Sequence, residues 1–116
     1  MVSGFSVEIE EKNNIPIIHV KGEIDVYTCP QLRTLLTDLV QKGQVLLILN
    51  LENIQYIDST GLGTIAHTAR TIENSNGKVC VVCTKNQIKK IFEVSGLEKK
   101  NVRLCPDEIS AMKELR

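Results

Sequence analysis

Hydrophobic and polar residues alternate along some stretches of the chain and recur at helical spacing along others. Near the start, Phe5, Val7 and Ile9 alternate with polar residues, which is typical of a half-exposed strand. An apolar run that begins at Val45 predicts a central strand with both faces covered. In all, the pattern predicts strands at residues 5–10, 15–20, 45–51, 78–83 and 102–104.

Four segments between and after these strands have helical spacing. The first places a set of apolar residues on one face, namely Leu32, Leu35, Leu36, Leu39 and Val40. Thr28 and Gln31 fit a capping box that would begin this helix. The other helices are predicted to begin near residues 59, 88 and 106.

The predicted order of elements is therefore β-β-α-β-α-β-α-β-α, in a chain of 116 residues that is long enough for one core. Strands that alternate with helices predict an α/β fold with a mixed, mostly parallel sheet. The first two strands are expected to form an antiparallel hairpin around a turn at Lys12–Asn14. Two loops that carry Asp25 and Asp58 are expected to meet at the carboxyl edge of the sheet.

Composition and charge exclude several classes of partner. The formal net charge is +0 and aromatic residues make up only 3%, so direct binding of nucleic acid is not expected. The apolar run at Val45–Leu49 is far too short to span a bilayer, and the first residues carry no signal-peptide pattern. We therefore expect a cytoplasmic protein that has no contact with the membrane.

The four cysteines do not predict a metal site. Cys80 and Cys83 have C-x-x-C spacing, but they lie in a strand pattern, where positions three apart point to opposite faces. No second pair has the spacing of metal ligands. We expect reduced, mostly buried thiols and no bound metal.

The segment Asp58–Gly63 stands where a predicted strand gives way to a predicted helix. Ser59 is therefore expected beside free backbone N–H groups and the positive end of a helix dipole. Gly61 and Gly63 allow another backbone to approach closely. A serine in this position is a candidate phosphate acceptor, and a serine or aspartate before a helix is also an ordinary N-cap.

Ser59 lacks the surroundings of a hydrolase nucleophile. A nucleophile elbow has the pattern G-x-S-x-G, and Ile57 stands where its first glycine is required. His67 is about 12 Å farther along the helix, whereas a general base must lie about 3 Å from the hydroxyl. We therefore predict that the chain is not an enzyme.

The glycines after Ser59 are a weak match to a nucleotide site. Gly61 and Gly63 lack the lysine of a P-loop and the third glycine of a dinucleotide-binding loop. A small nucleotide-binding protein that uses the Asp25 and Asp58 loops is kept as an alternative. No cofactor is expected.

The predicted helix after Asp58 has one weakly polar face. Positions four and eight residues after Ser59 are Gly63 and His67, and threonines flank them. This face has few long charged side chains, unlike an ordinary solvated helix face. It is a candidate surface for the close approach of another protein, with a merely polar surface as the alternative.

Three parts of the sequence together resemble the STAS family, in particular the bacterial anti-sigma factor antagonists. They are Val20–Asp25 (VKGEID), Leu49–Leu51 followed by Ile57–Gly63 (LNL, IDSTGLG), and Ile91–Leu97 (IFEVSGL). They occur in order and with similar spacing, and the resemblance covers nearly the whole length. A single STAS domain is therefore expected over residues 1–116.

The resemblance implies that Ser59 is the phosphoacceptor and that the kinase is the partner, an anti-sigma factor with a histidine-kinase-like ATP fold. It implies that the unphosphorylated protein binds this anti-sigma factor and frees a sigma factor, which regulates transcription. A PP2C-type phosphatase is expected to restore the hydroxyl. The residues expected at the partner interface are Asp25, Asp58, Ser59, Thr60, Gly61, Gly63, Thr64 and His67. A second alternative is a STAS scaffold subunit of a transporter or stress-sensing complex.

Overall fold

The computed structural model describes residues 4–116. Its strands are β1 (Ser6–Lys12), β2 (Ile15–Ile24), β3 (Leu46–Ile57), β4 (Lys78–Val82) and β5 (Val102–Cys105). They form one sheet in the order β1-β2-β3-β4-β5. β1 is antiparallel to β2, and every other neighbouring pair is parallel. The mixed, mostly parallel sheet predicted from the sequence is confirmed.

The helices are α1 (Cys29–Gln41), α2 (Ser59–Glu73), α3 (Asn86–Ser95) and α4 (Glu108–Leu115), with a 3-10 turn at Leu97–Lys99. Helices α1, α2 and α3 bury their apolar sides against one face of the sheet. The short α4 covers part of the other face with Ala111 and Leu115. The predicted order of elements is confirmed, and β3 is a central strand as expected.

β2 and β3 extend furthest beyond their predicted ends, and β1 also continues to Lys12, which was expected in the turn. β2 continues through Gly22 to Ile24, and β3 continues to Ile57, in segments expected to be loops. The extensions pair with each other, although the register shifts twice along this part of the ladder. Burial of Ile54 and Ile57 in the same core cluster stabilises the extension of β3. These residues are three apart, and the register shift between their positions allows both to face the same side.

The capping box predicted at the start of α1 is wrong. The Thr28 side chain makes no capping hydrogen bond to the helix. Its hydroxyl oxygen instead lies 2.7 Å from the Glu23 carbonyl oxygen, to which it donates. Thr28 therefore ties the loop back to the end of β2 rather than satisfying the first turn of the helix.

Cys80 and Cys83 point to opposite faces of the sheet, as their strand spacing predicts. Cys80 packs with the cluster under α4, and Cys83 belongs to the core under α1, α2 and α3. Burial raises the pKa of Cys80 to about 12, with the adjacent Cys105 thiol as a further cause. Burial also raises the pKa of Cys83. Both groups are thus protonated thiols that cannot chelate one ion as a pair.

Candidate functional site

The carboxyl ends of β2 and β3 lie side by side and bring the two acidic loops together. Ile24 is the pairing partner of Ile57, the last residue of each strand. The Asp58 amide donates to the Ile24 carbonyl over 3.1 Å, so the ladder continues into the second loop. Asp25 and Asp58 therefore both lie at the carboxyl edge of the sheet, as the sequence predicts.

Asp58 is the N-cap of α2, and Ser59 is its first helical residue. The Asp58 carboxylate oxygen Oδ1 accepts from the Gly61 amide over 3.1 Å. The Ser59 and Thr60 amides have no intrahelical partner, because they stand in the first turn. Ser59 is exposed, and within residues 4–116 its hydroxyl makes no hydrogen bond. The hydroxyl is thus free beside the positive end of a 15-residue helix.

The two glycines of α2 have different surroundings. A Cβ atom at Gly61 would lie 2.6 Å from Ile24 Cγ2 and 2.8 Å from Ile57 Cγ1. Gly61 therefore lets α2 pack closely on its own sheet and offers no surface to a partner. Gly63 has nothing within 4 Å of a built Cβ and is exposed. The expectation that both glycines serve an incoming protein is corrected for Gly61.

Thr64 is also buried, at 7% exposure, so its side chain is not on the open face. Its hydroxyl donates to the Thr60 carbonyl over 3.1 Å and lies 2.9 Å from Cys29 Sγ at the start of α1. His67, by contrast, is exposed. A shallow groove of about 190 Å³ runs between α1 and α2, lined by Arg33, Thr37, Thr60, Gly63, Thr64 and His67.

Asp25 shapes the neighbouring loop. Its carboxylate oxygen Oδ1 accepts from the Tyr27 amide over 2.9 Å and from the Thr28 amide over 3.0 Å. The carboxylate is therefore used within the loop. The turn that it stabilises holds Val26 and Tyr27 in solvent, at 57% and 85% exposure.

Sequence reasoning missed these exposed apolar residues. The chain has two tyrosines, and both lie at this edge, since Tyr56 is 48% exposed two residues before Asp58. A usable signal was present, because Val26 and Tyr27 are apolar residues inside a loop, where no core face accounts for them. Tyrosine is enriched at the centres of protein interfaces. We call Val26, Tyr27, Tyr56 and Ser59 the strand-end surface.

This edge carries a free hydroxyl, a capping carboxylate and exposed apolar side chains. Within the described residues, no histidine or other base hydrogen-bonds to Ser59. The one group of three metal-ligating side chains found in residues 4–116 lies elsewhere, at Glu10, His19 and Glu108. The arrangement suits modification of the hydroxyl by another protein and contact with a protein surface.

Comparisons with known proteins show the family of the chain. The family model of the STAS domain matches residues 6–111. An anti-sigma-B factor antagonist of Staphylococcus aureus (strain NCTC 8325 / PS 47) is 33% identical over 93 residues, which are 80% of this chain and 86% of that protein. One from Staphylococcus epidermidis is 33% identical over 81 residues, which are 70% of this chain and 75% of that protein.

Solved structures share the fold. An anti-sigma factor antagonist from Mycobacterium paratuberculosis has a TM-score of 0.88 at 24% identity, over 97% of this chain and 94% of that chain. The anti-sigma factor antagonist SpoIIAA in its unphosphorylated form has a TM-score of 0.75 at 21% identity, over 97% of each chain. None of the helices in the described part of the chain is long and apolar enough to cross a membrane.

Proposed function

The chain belongs to the STAS domain family, and we propose that it is an anti-sigma factor antagonist controlled by phosphorylation of Ser59. In this proposal the unphosphorylated protein binds an anti-sigma factor that is also a serine kinase, and a sigma factor is released. The one-third identity to proteins named anti-sigma-B factor antagonists supports the partner class. The chain itself binds and performs no catalysis.

The observation that carries the proposal is the exposed, unbonded Ser59 hydroxyl at the start of α2. A kinase needs an accessible hydroxyl, and the helix N-terminus tolerates the added negative charge. The Asp58 cap on the Gly61 amide keeps the first turn in place without engaging Ser59. Phosphorylation can therefore occur without unfolding of the helix.

The same position makes the phosphate a strong obstacle to docking. A phosphate adds about −1.5 to −2 charges next to Asp58, on a surface that also presents Val26 and Tyr27. Burial of an unpaired charge costs about 3–5 kcal/mol. At about 1.4 kcal/mol per decade, that cost lowers affinity roughly a hundredfold or more. A PP2C-type phosphatase would restore the binding form.

Two other functions remain as alternatives. A STAS scaffold subunit of a transporter or stress-sensing complex would use the same fold without a phosphate cycle. A nucleotide-binding protein is less well supported, because the side chains of Ile24 and Ile57 occupy the space beside Gly61 where a ligand would approach.

The test uses the full chain, the anti-sigma factor kinase of the same organism, and ATP. Peptide mapping by mass spectrometry should find one phosphate, on Ser59. Ser59→Ala should remain unmodified, whereas Thr60→Val should be modified like the wild type. Phosphate on Thr60, or modification of Ser59→Ala, would contradict the assignment. Binding of the kinase without any phosphate transfer would favour the scaffold alternative.

A further inference from the structure

A second group of polar side chains lies on the face of the sheet that α4 only partly covers. Glu10 comes from β1, His19 from β2 and Glu108 from the first turn of α4. His19 Nε2 is 2.7 Å from Glu10 Oε1, and His19 Nδ1 is 3.8 Å from Glu108 Oε2. One donor atom from each of the three residues lies within 4.8 Å of the other two.

Neighbouring groups hold this cluster in place and set its charge. The Asn50 side-chain amide donates to Glu108 Oε2 over 2.7 Å, which fixes the carboxylate from the central strand. Glu8 stands directly opposite His19 in the β1–β2 ladder. Lys12 adds a positive charge beside the cluster, since its Nζ lies 3.8 Å from Glu108 Oε1. Two carboxylates thus lie beside the imidazole, and Glu8 adds a third acidic residue across the ladder.

The cluster is open to solvent through a groove of about 420 Å³, lined among others by Glu8, Glu10, His19, Lys21 and Asn53. The side chains of Glu10, His19 and Glu108 are 45%, 35% and 25% exposed. A hydrated ion can reach them without opening of the fold. Glu10 is the most exposed of the three and can adjust its position.

We propose that His19, Glu10 and Glu108 form a binding site for a divalent transition metal ion. Zinc takes imidazole nitrogen and carboxylate oxygen at about 2.0–2.2 Å, and the imidazole disfavours Mg²⁺ and Ca²⁺. The two carboxylates lie beside different nitrogens of the ring, and a metal ion uses only one of them. Metal binding would therefore replace the hydrogen bond between His19 and Glu10 and turn one ring nitrogen toward the space between the two carboxylates. Water fills the remaining position. Asn50 orients Glu108, as partners of metal ligands commonly do.

The site joins the β1–β2 hairpin to α4, which is distant from it in sequence. An ion that binds only the folded chain stabilises it by mass action. Zinc should therefore raise the unfolding temperature as well as bind. This site is independent of Ser59, so its failure would leave the proposed function untouched.

The experiment uses the untagged full chain, titrated with Zn²⁺ by calorimetry in a buffer with a reductant that does not chelate metal. We expect one saturable site that Mg²⁺ does not occupy. His19→Gln and Glu10→Gln should each weaken binding at least about tenfold, and Asn50→Ala roughly tenfold. Glu11→Gln is the matched control, because Glu11 pairs with Pro16 on the other side of the strand from Glu10. It should bind like the wild type.

The two histidines of the chain give a direct readout. In an imidazole nitrogen NMR spectrum, Zn²⁺ should shift the His19 signals and leave those of the exposed His67 in place. Lys12→Gln should tighten binding, because it removes the cation beside Glu108. Equal shifts at both histidines, binding that survives His19→Gln, or binding abolished by thiol alkylation would overturn the proposal.

Discussion

The Cys29 thiol lies 2.9 Å from the Thr64 hydroxyl and joins the first turn of α1 to the first turns of α2. Both groups are buried. The Thr64 hydroxyl donates its proton to the Thr60 carbonyl. The hydroxyl oxygen of Thr64 is therefore free to accept a hydrogen bond from the Cys29 thiol. This contact fixes the helix that carries Ser59 against the helix that follows Asp25.

Thr64→Val should therefore lower stability. The substitution keeps the shape of the side chain but leaves the Cys29 thiol with only the Thr60 carbonyl, 3.6 Å away. We expect a loss of about 1 kcal/mol in the free energy of unfolding. Urea unfolding should show a lower midpoint with an unchanged slope.

The control for this substitution is Thr71→Val. The Thr71 hydroxyl is exposed and donates only to the His67 carbonyl of its own helix, over 2.8 Å. The expected change is within about 0.5 kcal/mol. Equal losses for the two variants would show that the contact between α1 and α2 contributes nothing.

The glycines of α2 should respond to alanine in opposite directions. Gly61→Ala places a Cβ 2.6 Å from Ile24 Cγ2, so the core must shift, at a cost of about 1–3 kcal/mol. Gly63→Ala meets open space and should stabilise the helix by about 0.5–1 kcal/mol. Thermal unfolding of the two variants beside the wild type provides the test. A stable Gly61→Ala would contradict the close approach of α2 to β2 and β3.

Periodicity predicted most of the fold, because the buried strands and the apolar helix faces follow strict spacings. Periodicity did not predict the end of β3. Ile54 and Ile57 are separated by polar residues, and this segment forms a strand only because it pairs with β2. The position of Ser59 was predictable from the local motif. The burial of Gly61 was not, because it depends on Ile24, which is far away in the sequence.

The cluster of Glu10, His19 and Glu108 was likewise not predictable from the sequence pattern. Glu10 and His19 meet through the register of the hairpin, and Glu108 joins them only after α4 docks. The predicted hairpin brings Glu10 and His19 onto neighbouring strands, but no local spacing connects them to Glu108. The strand pattern therefore includes His19, but only the tertiary structure brings Glu108 beside it.

The charge at Ser59 should decide partner affinity. Ser59→Ala should bind the anti-sigma factor and resist release by ATP, since it lacks the acceptor hydroxyl. Ser59→Asp should bind at least about tenfold more weakly, because burial of even one charge costs more than about 1.4 kcal/mol. Calorimetry with the purified anti-sigma factor measures both. Equal affinities would refute an electrostatic switch.

Stability should fall at alkaline pH through Cys80. Burial raises the pKa of Cys80 from 9.0 to about 12, so the unfolded chain loses this proton first. The stabilisation is fully present below pH 9 and is lost as pH rises toward about 12. Cys80→Ala, although less stable at neutral pH, should lose stability less steeply across that window. Parallel pH profiles for the two proteins would contradict the assignment.

Tyr27 should be the main apolar contact of the strand-end surface. It is 85% exposed in a turn that Asp25 stabilises, so Tyr27→Ala should leave the unfolding temperature nearly unchanged. Buried interface tyrosines often contribute about 2 kcal/mol or more, so binding of the anti-sigma factor should weaken at least about tenfold. Val94→Ala is the matched control, because Val94 is 82% exposed on α3, outside the strand-end surface. If both variants keep full affinity, the partner docks elsewhere, and the exposure of Tyr27 has another cause.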